Sequence, residues 1–207
     1  ALEHLPNVIA VTPGIFGNSE IGGNGRVRRT MVRGAGAGMT QVFNLKVRSG
    51  QFLPEEESDN ARSFIVLGAK LKNELFSDAN PLGARVRVGN MQFRVIGVLE
   101  EKGQFLGIDL DDMGYIPAAR ALELYNRSSL MEVHVSYTEG TPAAGVGAAI
   151  KSTLKARHGR EDFTVTTQED SLRTLSKILD ILTMAVGALG SISLLVGGVG
   201  IITIMTI

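Results

Sequence analysis

Residues Ile181–Ile207 read ILTMAVGALGSISLLVGGVGIITIMTI, 27 residues without one charged side chain. A helix needs about 20 consecutive apolar residues to cross the hydrocarbon core of a bilayer, so 181–207 is expected to be a transmembrane helix. Every Asp, Glu, Lys and Arg falls in residues 1–180, and that part is expected to form a water-facing domain that runs into the membrane. A signal peptide is excluded by the position of the run. The chain begins at Ala1 and stops within the apolar run, which reads as a piece cut from a longer protein, with an incoming helix expected ahead of Ala1.

Outward from that segment, composition narrows the function classes. The 207 residues carry 21 basic and 21 acidic side chains, and a chain without net charge has no field of one sign with which to hold nucleic acid. With no cysteine, disulfides, thiolate catalysis and Cys-type zinc sites are excluded. Tryptophan is absent and aromatics make up 5% of the chain, which weakens any base-stacking role.

Towards the membrane, Thr166 and Glu169 form a capping-box pattern that opens a helix. Along it Leu172, Leu175, Leu179, Leu182, Val186 and Leu189 recur every three or four residues, a short heptad-like seam. Leu172, Leu175, Leu179 and Leu182 are the candidate stalk-packing residues. In the apolar run, Gly187 with Ser191 and Ser193 with Gly197 are small-xxx-small pairs that would admit a second membrane helix.

In the water-facing part, Val8–Thr12 reads as a short strand. Arg26–Arg33 reads as an arginine-bearing strand between glycine-rich loops, because eight glycines fall between Gly14 and Gly38. A strand is expected at Phe64–Leu67, a helix at Lys70–Phe76, and a hairpin from Ala84–Val88 and Met91–Leu99 about Gly89-Asn90. A charged loop, Glu100–Asp112, leads to a strand at Gly114–Pro117 and a helix to about Leu124. Met131–Tyr137 alternates as a strand, with Glu132, His134 and Ser136 on one face. Thr141 should cap a helix striped by Val146, Ile150 and Leu154, and Phe163–Thr167 should add another strand. That strand, helix and strand would make a βαβ-like unit together with Val8–Val11, and residues 45–125 would be a β-rich insert. The fold class is therefore α+β.

No motif for chemistry survives inspection. The run Asp109-Leu110-Asp111-Asp112 resembles the start of a calcium loop, but position five is Met113 and position twelve Arg120, where oxygen ligands are required. His4, His134 and His158 lack metal-ligand spacing. There is no nucleophile elbow and no Walker A sequence, so the chain is expected to have no catalytic residue, no metal and no cofactor of its own. Within Lys102-Gly103-Gln104-Phe105-Leu106-Gly107, Gln104, Phe105 and Leu106 are candidate partner contacts, since large apolar residues among charges mark an anchor. The alternative is a small satellite core.

Several stretches in order resemble the MacB-type core domain of ABC transporter permeases, whose membrane part belongs to the FtsX-like class. They are Gly50-Gln51-Phe52-Leu53, Val66-Leu67-Gly68, Leu75-Phe76, Pro81-Leu82-Gly83, Val86-Arg87-Val88, Phe93-Arg94-Val95-Ile96-Gly97-Val98, Tyr115-Ile116-Pro117 and Ile192–Ile201. The resemblance implies an extracytoplasmic core domain over 1–165, porter-like with a β-rich insert at 45–125, then a stalk helix at 166–180 and a truncated membrane helix at 181–207. It implies residence in the inner or plasma membrane, with 1–180 on the periplasmic or extracellular side. The implied partners are an ABC ATPase subunit or domain that carries the ATP, a second permease in a homodimer or heterodimer, and a periplasmic adaptor. The expected function is mechanical coupling of cytoplasmic ATP hydrolysis to export or extraction of a substrate outside the membrane. The rival readings are a membrane-anchored sensor or regulator of a cell-wall hydrolase, and a membrane-anchored enzyme.

Overall fold

A computed structural model describes residues 2, 5–55, 61–105, 107–159 and 163–205. The chain divides into two units, Ala1–Glu139 and Gly140–Ile207. The first unit is organised by a long hairpin, β1 (Val8–Gly23) and β2 (Arg26–Ala35). Five of the eight glycines expected to make loops, Gly14, Gly17, Gly22, Gly23 and Gly34, lie instead within these strands, and the chain reverses at Asn24-Gly25, with φ 51° and 74°. Two successive positive φ values are the signature of the tight hairpin turn that Asn-Gly favours.

After the short helix α1 (Met39–Val42) come β3 (Val47–Gly50), β4 (Phe64–Leu67) and α2 (Ala69–Phe76). The expected hairpin then forms as β5 (Arg85–Val88) and β6 (Met91–Leu99), turning where Gly89 takes φ 57°. The charged loop contains a miniature hairpin, β7 (Gln104–Phe105) with β8 (Ile108–Asp109). It is followed by β9 (Met113–Pro117), α3 (Ala118–Leu124) and β10 (Glu132–Tyr137).

The strand order is β10-β1-β2-β9-β4-β6-β3, and β5 pairs with both β6 and β1. Six strands therefore close a ring, β1-β2-β9-β4-β6-β5, in which β2 with β9 and β4 with β6 run parallel and the other pairs antiparallel. The core lies on both sides of the central strands. Ile65, Leu67 and Ile116 join Ile15, Ile21, Val32, Phe93 and the α2 residues Leu71 and Leu75 in one cluster. Val66, Met113 and Tyr115 join Met39, Leu45, Leu53 and Leu99 in the other. Burial on both faces explains why β4 and β9 are continuous apolar runs, whereas β5 alternates arginine and valine.

The expected pairing of Val8–Val11 with the strand near residue 135 is present: Val8 lies opposite Tyr137 and Gly14 opposite Glu132, antiparallel. In the second unit α4 (Ala143–His158) begins without a side-chain cap, Pro142 occupying the capping position expected for Thr141, and it ends on Gly159 at φ 70°. Phe163–Thr167 is not a strand. The described residues of this unit are otherwise helical, so the run has no strand within the unit to pair with. The long helix α5 (Gln168–Met205) follows without interruption.

Candidate functional site

Two polar clusters take up Arg28 and Arg33 of β2. In the first, Arg28 forks onto the Asp112 carboxylate, Nε to Oδ1 at 2.7 Å and Nη2 to Oδ2 at 2.6 Å, with Glu74 at 3.4 Å. The Asp112 hydrogen bond holds the Arg28 guanidinium above its ordinary range. Lys70 donates to Asp109 at 2.8 Å, which lowers the Asp109 carboxyl below the usual carboxylate range against the opposing effect of partial burial. Asp111 accepts the backbone N–H groups of Lys102 and Gly103, both at 2.8 Å. The acidic run that resembles a calcium loop is thus engaged by cations and amides. Among the described residues no group of three acidic or histidine side chains could hold a metal.

The second cluster is one that the pattern of alternation does not reveal. Arg33 is 5% exposed, donates from Nη2 to Glu132 Oε1 at 2.9 Å, and lies over the Phe43 ring at 5.0 Å. His134 Nε2 reaches the same Glu132 oxygen at 2.8 Å, and its ring meets Phe43 edge-on at 5.1 Å. A Cβ on Gly14 would stand 2.5 Å from Glu132 Cγ, so glycine at that register position makes room for the carboxylate arm. The polar face of β10 therefore turns inward, while Val133 on the apolar face is 42% exposed. Only the joint presence of Arg33, Phe43 and Glu132, from three distant segments, decides which face is buried.

A similar accommodation occurs further along β1. The Tyr125 ring rests where a Cβ on Gly17 would lie, 2.7 Å from Cε1, and its hydroxyl donates to the Gly17 carbonyl at 2.8 Å. Burial raises the Tyr125 hydroxyl above its ordinary range. It raises Tyr115 further, whose hydroxyl donates to the Leu110 carbonyl at 3.0 Å.

The residues singled out in the sequence are placed as follows. Gln104 is exposed on β7, the backbone of Phe105 completes that strand, and Leu106 and the side chain of Phe105 lie outside the described residues. Leu172, Leu175, Leu179 and Leu182 all lie on α5, each between 53% and 60% exposed. Gly187, Ser191 and Ser193 are exposed on the same helix, and the surroundings of Gly197 lie outside the described residues. Ser191 and Ser193 donate to the carbonyls of Gly187 and Leu189 at 2.8 and 2.9 Å, so their hydroxyls are satisfied within the helix, as an apolar medium requires. Among the described residues Leu172–Ser193 is the one stretch long and apolar enough to cross a membrane, with a mean hydropathy of 1.5.

Comparisons with known proteins give the family and the fold of the chain. The chain is 31% identical to the macrolide export ATP-binding/permease protein MacB of Marinobacter nauticus, over 100% of its own length and 32% of the relative's. It is 30% identical to the pyoverdine export ATP-binding/permease protein PvdT of Pseudomonas entomophila, over 99% and 32%. The chain thus spans about a third of the length of these relatives. Among solved structures, the periplasmic region of MacB from Actinobacillus actinomycetemcomitans superposes with a TM-score of 0.71 at 23% identity, covering 84% of this chain and 79% of that one. The extracellular domain of the ABC-type transporter YknZ, from Gram-positive bacteria, gives 0.64 at 20% identity, covering 78% and 82%. These structures establish the mixed α+β fold. With the family of MacB-like periplasmic core domains matching residues 1–153, the chain belongs to that family.

Proposed function

We propose that this chain is the extracytoplasmic domain of an ABC transporter permease and couples cytoplasmic ATP hydrolysis to export or extraction of a substrate outside the membrane. The ATPase would be a separate domain or subunit, and a second permease and a periplasmic adaptor are the partners proposed with it. In this reading residues 45–125 form the β-rich insert, 166–180 the stalk, and the apolar part of α5 sits in the inner membrane. The observation that carries it is the continuity of α5, whose 38 residues make a rod of about 57 Å at 1.5 Å per residue. A rod that passes from a charged segment into an apolar one without a break can transmit a rigid-body displacement from the membrane to the domain.

The test is Leu179→Asp in the complete transporter. If the exposed seam packs on a neighbouring helix, a buried carboxylate there disrupts the packing without touching the folded domain. Export should fall while ATP hydrolysis and the domain's melting temperature persist. Full export by that variant would remove the stalk from the mechanism.

A further inference from the structure

We propose that the outer side of the β4–β6–β5 segment binds an amphiphilic organic anion, a phosphate or carboxylate carried on an apolar body. A cleft of about 420 Å³ opens there, with Phe64, Leu82, Ile96 and Arg94 in its lining. Its volume falls within the roughly 300–1,000 Å³ of small-molecule sites. The sheet register places its charged and apolar parts in one row. Phe64 of β4 lies beside Arg94 of β6, and Arg94 lies opposite Arg85 of β5, so the three side chains share a face. The Arg62 guanidinium lies 5.0 Å over the Phe64 ring. Arg94 Nη2 is 3.7 Å from the point that a Cβ on Gly83 would occupy, which brings the guanidinium head to the cleft wall.

Like charges directly opposite one another on antiparallel strands are destabilising. Three arginines, Arg28, Arg33 and Arg120, meet carboxylates. Among the described residues no carboxylate lies in ion-pair range of Arg85 or Arg94. A pair of arginines without a counter-ion among the described residues, beside an apolar wall, suits an external anion, which two guanidinium forks can grip through charge-assisted hydrogen bonds. The half-buried Phe64 and Ile96 and the exposed edge of Leu82 would then cover the apolar body. This inference does not depend on the transport reading, since it concerns a surface of the first unit alone.

The full chain, held in neutral-detergent micelles, would be titrated calorimetrically with naphthyl phosphate, and separately with inorganic phosphate and with neutral naphthol. The expected result is saturable one-to-one binding of naphthyl phosphate that weakens about tenfold or more in Arg85→Gln/Arg94→Gln and is unchanged in Arg127→Gln, an exposed arginine elsewhere. Leu82→Asn should weaken naphthyl phosphate and leave any binding of inorganic phosphate as it was. The double glutamine variant should melt no lower than the parent, because a repulsion has been removed. A lower melting temperature would make the arginines structural and overturn the proposal. So would absent saturation, binding indifferent to the double substitution, equal binding of naphthol, or equal binding of inorganic phosphate, which would leave a bare-anion patch.

Discussion

The first unit and helix α5 use their apolar residues in opposite ways. In the ring of strands Ile65, Leu67 and Ile116 have no exposed surface, and the charges that enter the sheet at Arg28 and Arg33 meet carboxylates. On α5 every leucine of the seam, from Leu172 to Leu189, is more than half exposed. Both segments are rich in leucine, isoleucine and valine, so the difference is one of partners. The ring closes on itself and supplies its own core. The helix has to be covered by lipid or by other helices, because about 25 cal/mol of free energy attaches to each square ångström of apolar surface withdrawn from water.

The strongest way to break this comparison is to truncate one residue on each side of it. Ile65→Ala, at the centre of the ring, should cost about 3–4 kcal/mol for the lost methylenes and the residual cavity, a fall of about 10 °C in melting temperature for a chain of this size. Leu179→Ala should stay within about 0.5 kcal/mol. All three tyrosines belong to the first unit, so near-ultraviolet circular dichroism of the full chain in micelles reports its melting for both variants. Equal losses would mean that the seam is covered within the chain.

A smaller effect tests the buried charge. Glu132→Ala leaves Arg33 without its carboxylate, and breaking a buried ion pair costs about 3–5 kcal/mol when both partners are inaccessible. The Glu132 side chain is 36% exposed, so about 2 kcal/mol is expected here, read from the urea midpoint at neutral pH. A change below about 0.5 kcal/mol would show that Phe43 alone suffices to hold the guanidinium.

The smallest effect concerns acid. The Lys70 hydrogen bond lowers the folded-state pKa of Asp109, so its stabilisation is present above the unfolded value of about 3.9 and is lost as the pH falls through the lower folded value. Asp109→Asn should therefore make the decline in stability below about pH 4 shallower, while the rest of the curve keeps its shape. Urea unfolding at pH 3 and pH 7 gives the comparison, and identical differences for parent and variant would remove Asp109 from the acid limb.

What could be read in the sequence follows from how local the cause is. The charge-free run of α5 and the β5–β6 hairpin around Gly89-Asn90 need only neighbouring residues to be recognised, and both are found as expected. The β1–β2 hairpin carries an equally local Asn24-Gly25 signal, which the surrounding glycines obscured. Those glycines serve contacts made from far along the chain: Gly14 accommodates Glu132 and Gly17 accommodates Tyr125. A glycine needed for such an approach looks, in one dimension, like a glycine in a loop. The inward face of β10 and the cluster at Arg33 were hidden for the same reason, since alternation yields two faces and no rule for which is covered. Phe163–Thr167 shows the converse limit, β-prone residues without a neighbouring strand in their unit.

The two ends of β1 also differ in when they can form. Ile15–Gly23 pairs with β2 directly across the Asn24-Gly25 turn, a contact that closes within microseconds once the hairpin has left the ribosome. Val8–Gly14 pairs with Glu132–Tyr137 and must wait for nearly the whole first unit to be made. Until then one half of the strand is a finished ladder and the other an open edge able to join a neighbouring chain. Long-range pairing of this kind slows folding, and the earliest-made strand of this unit is among the last to be protected.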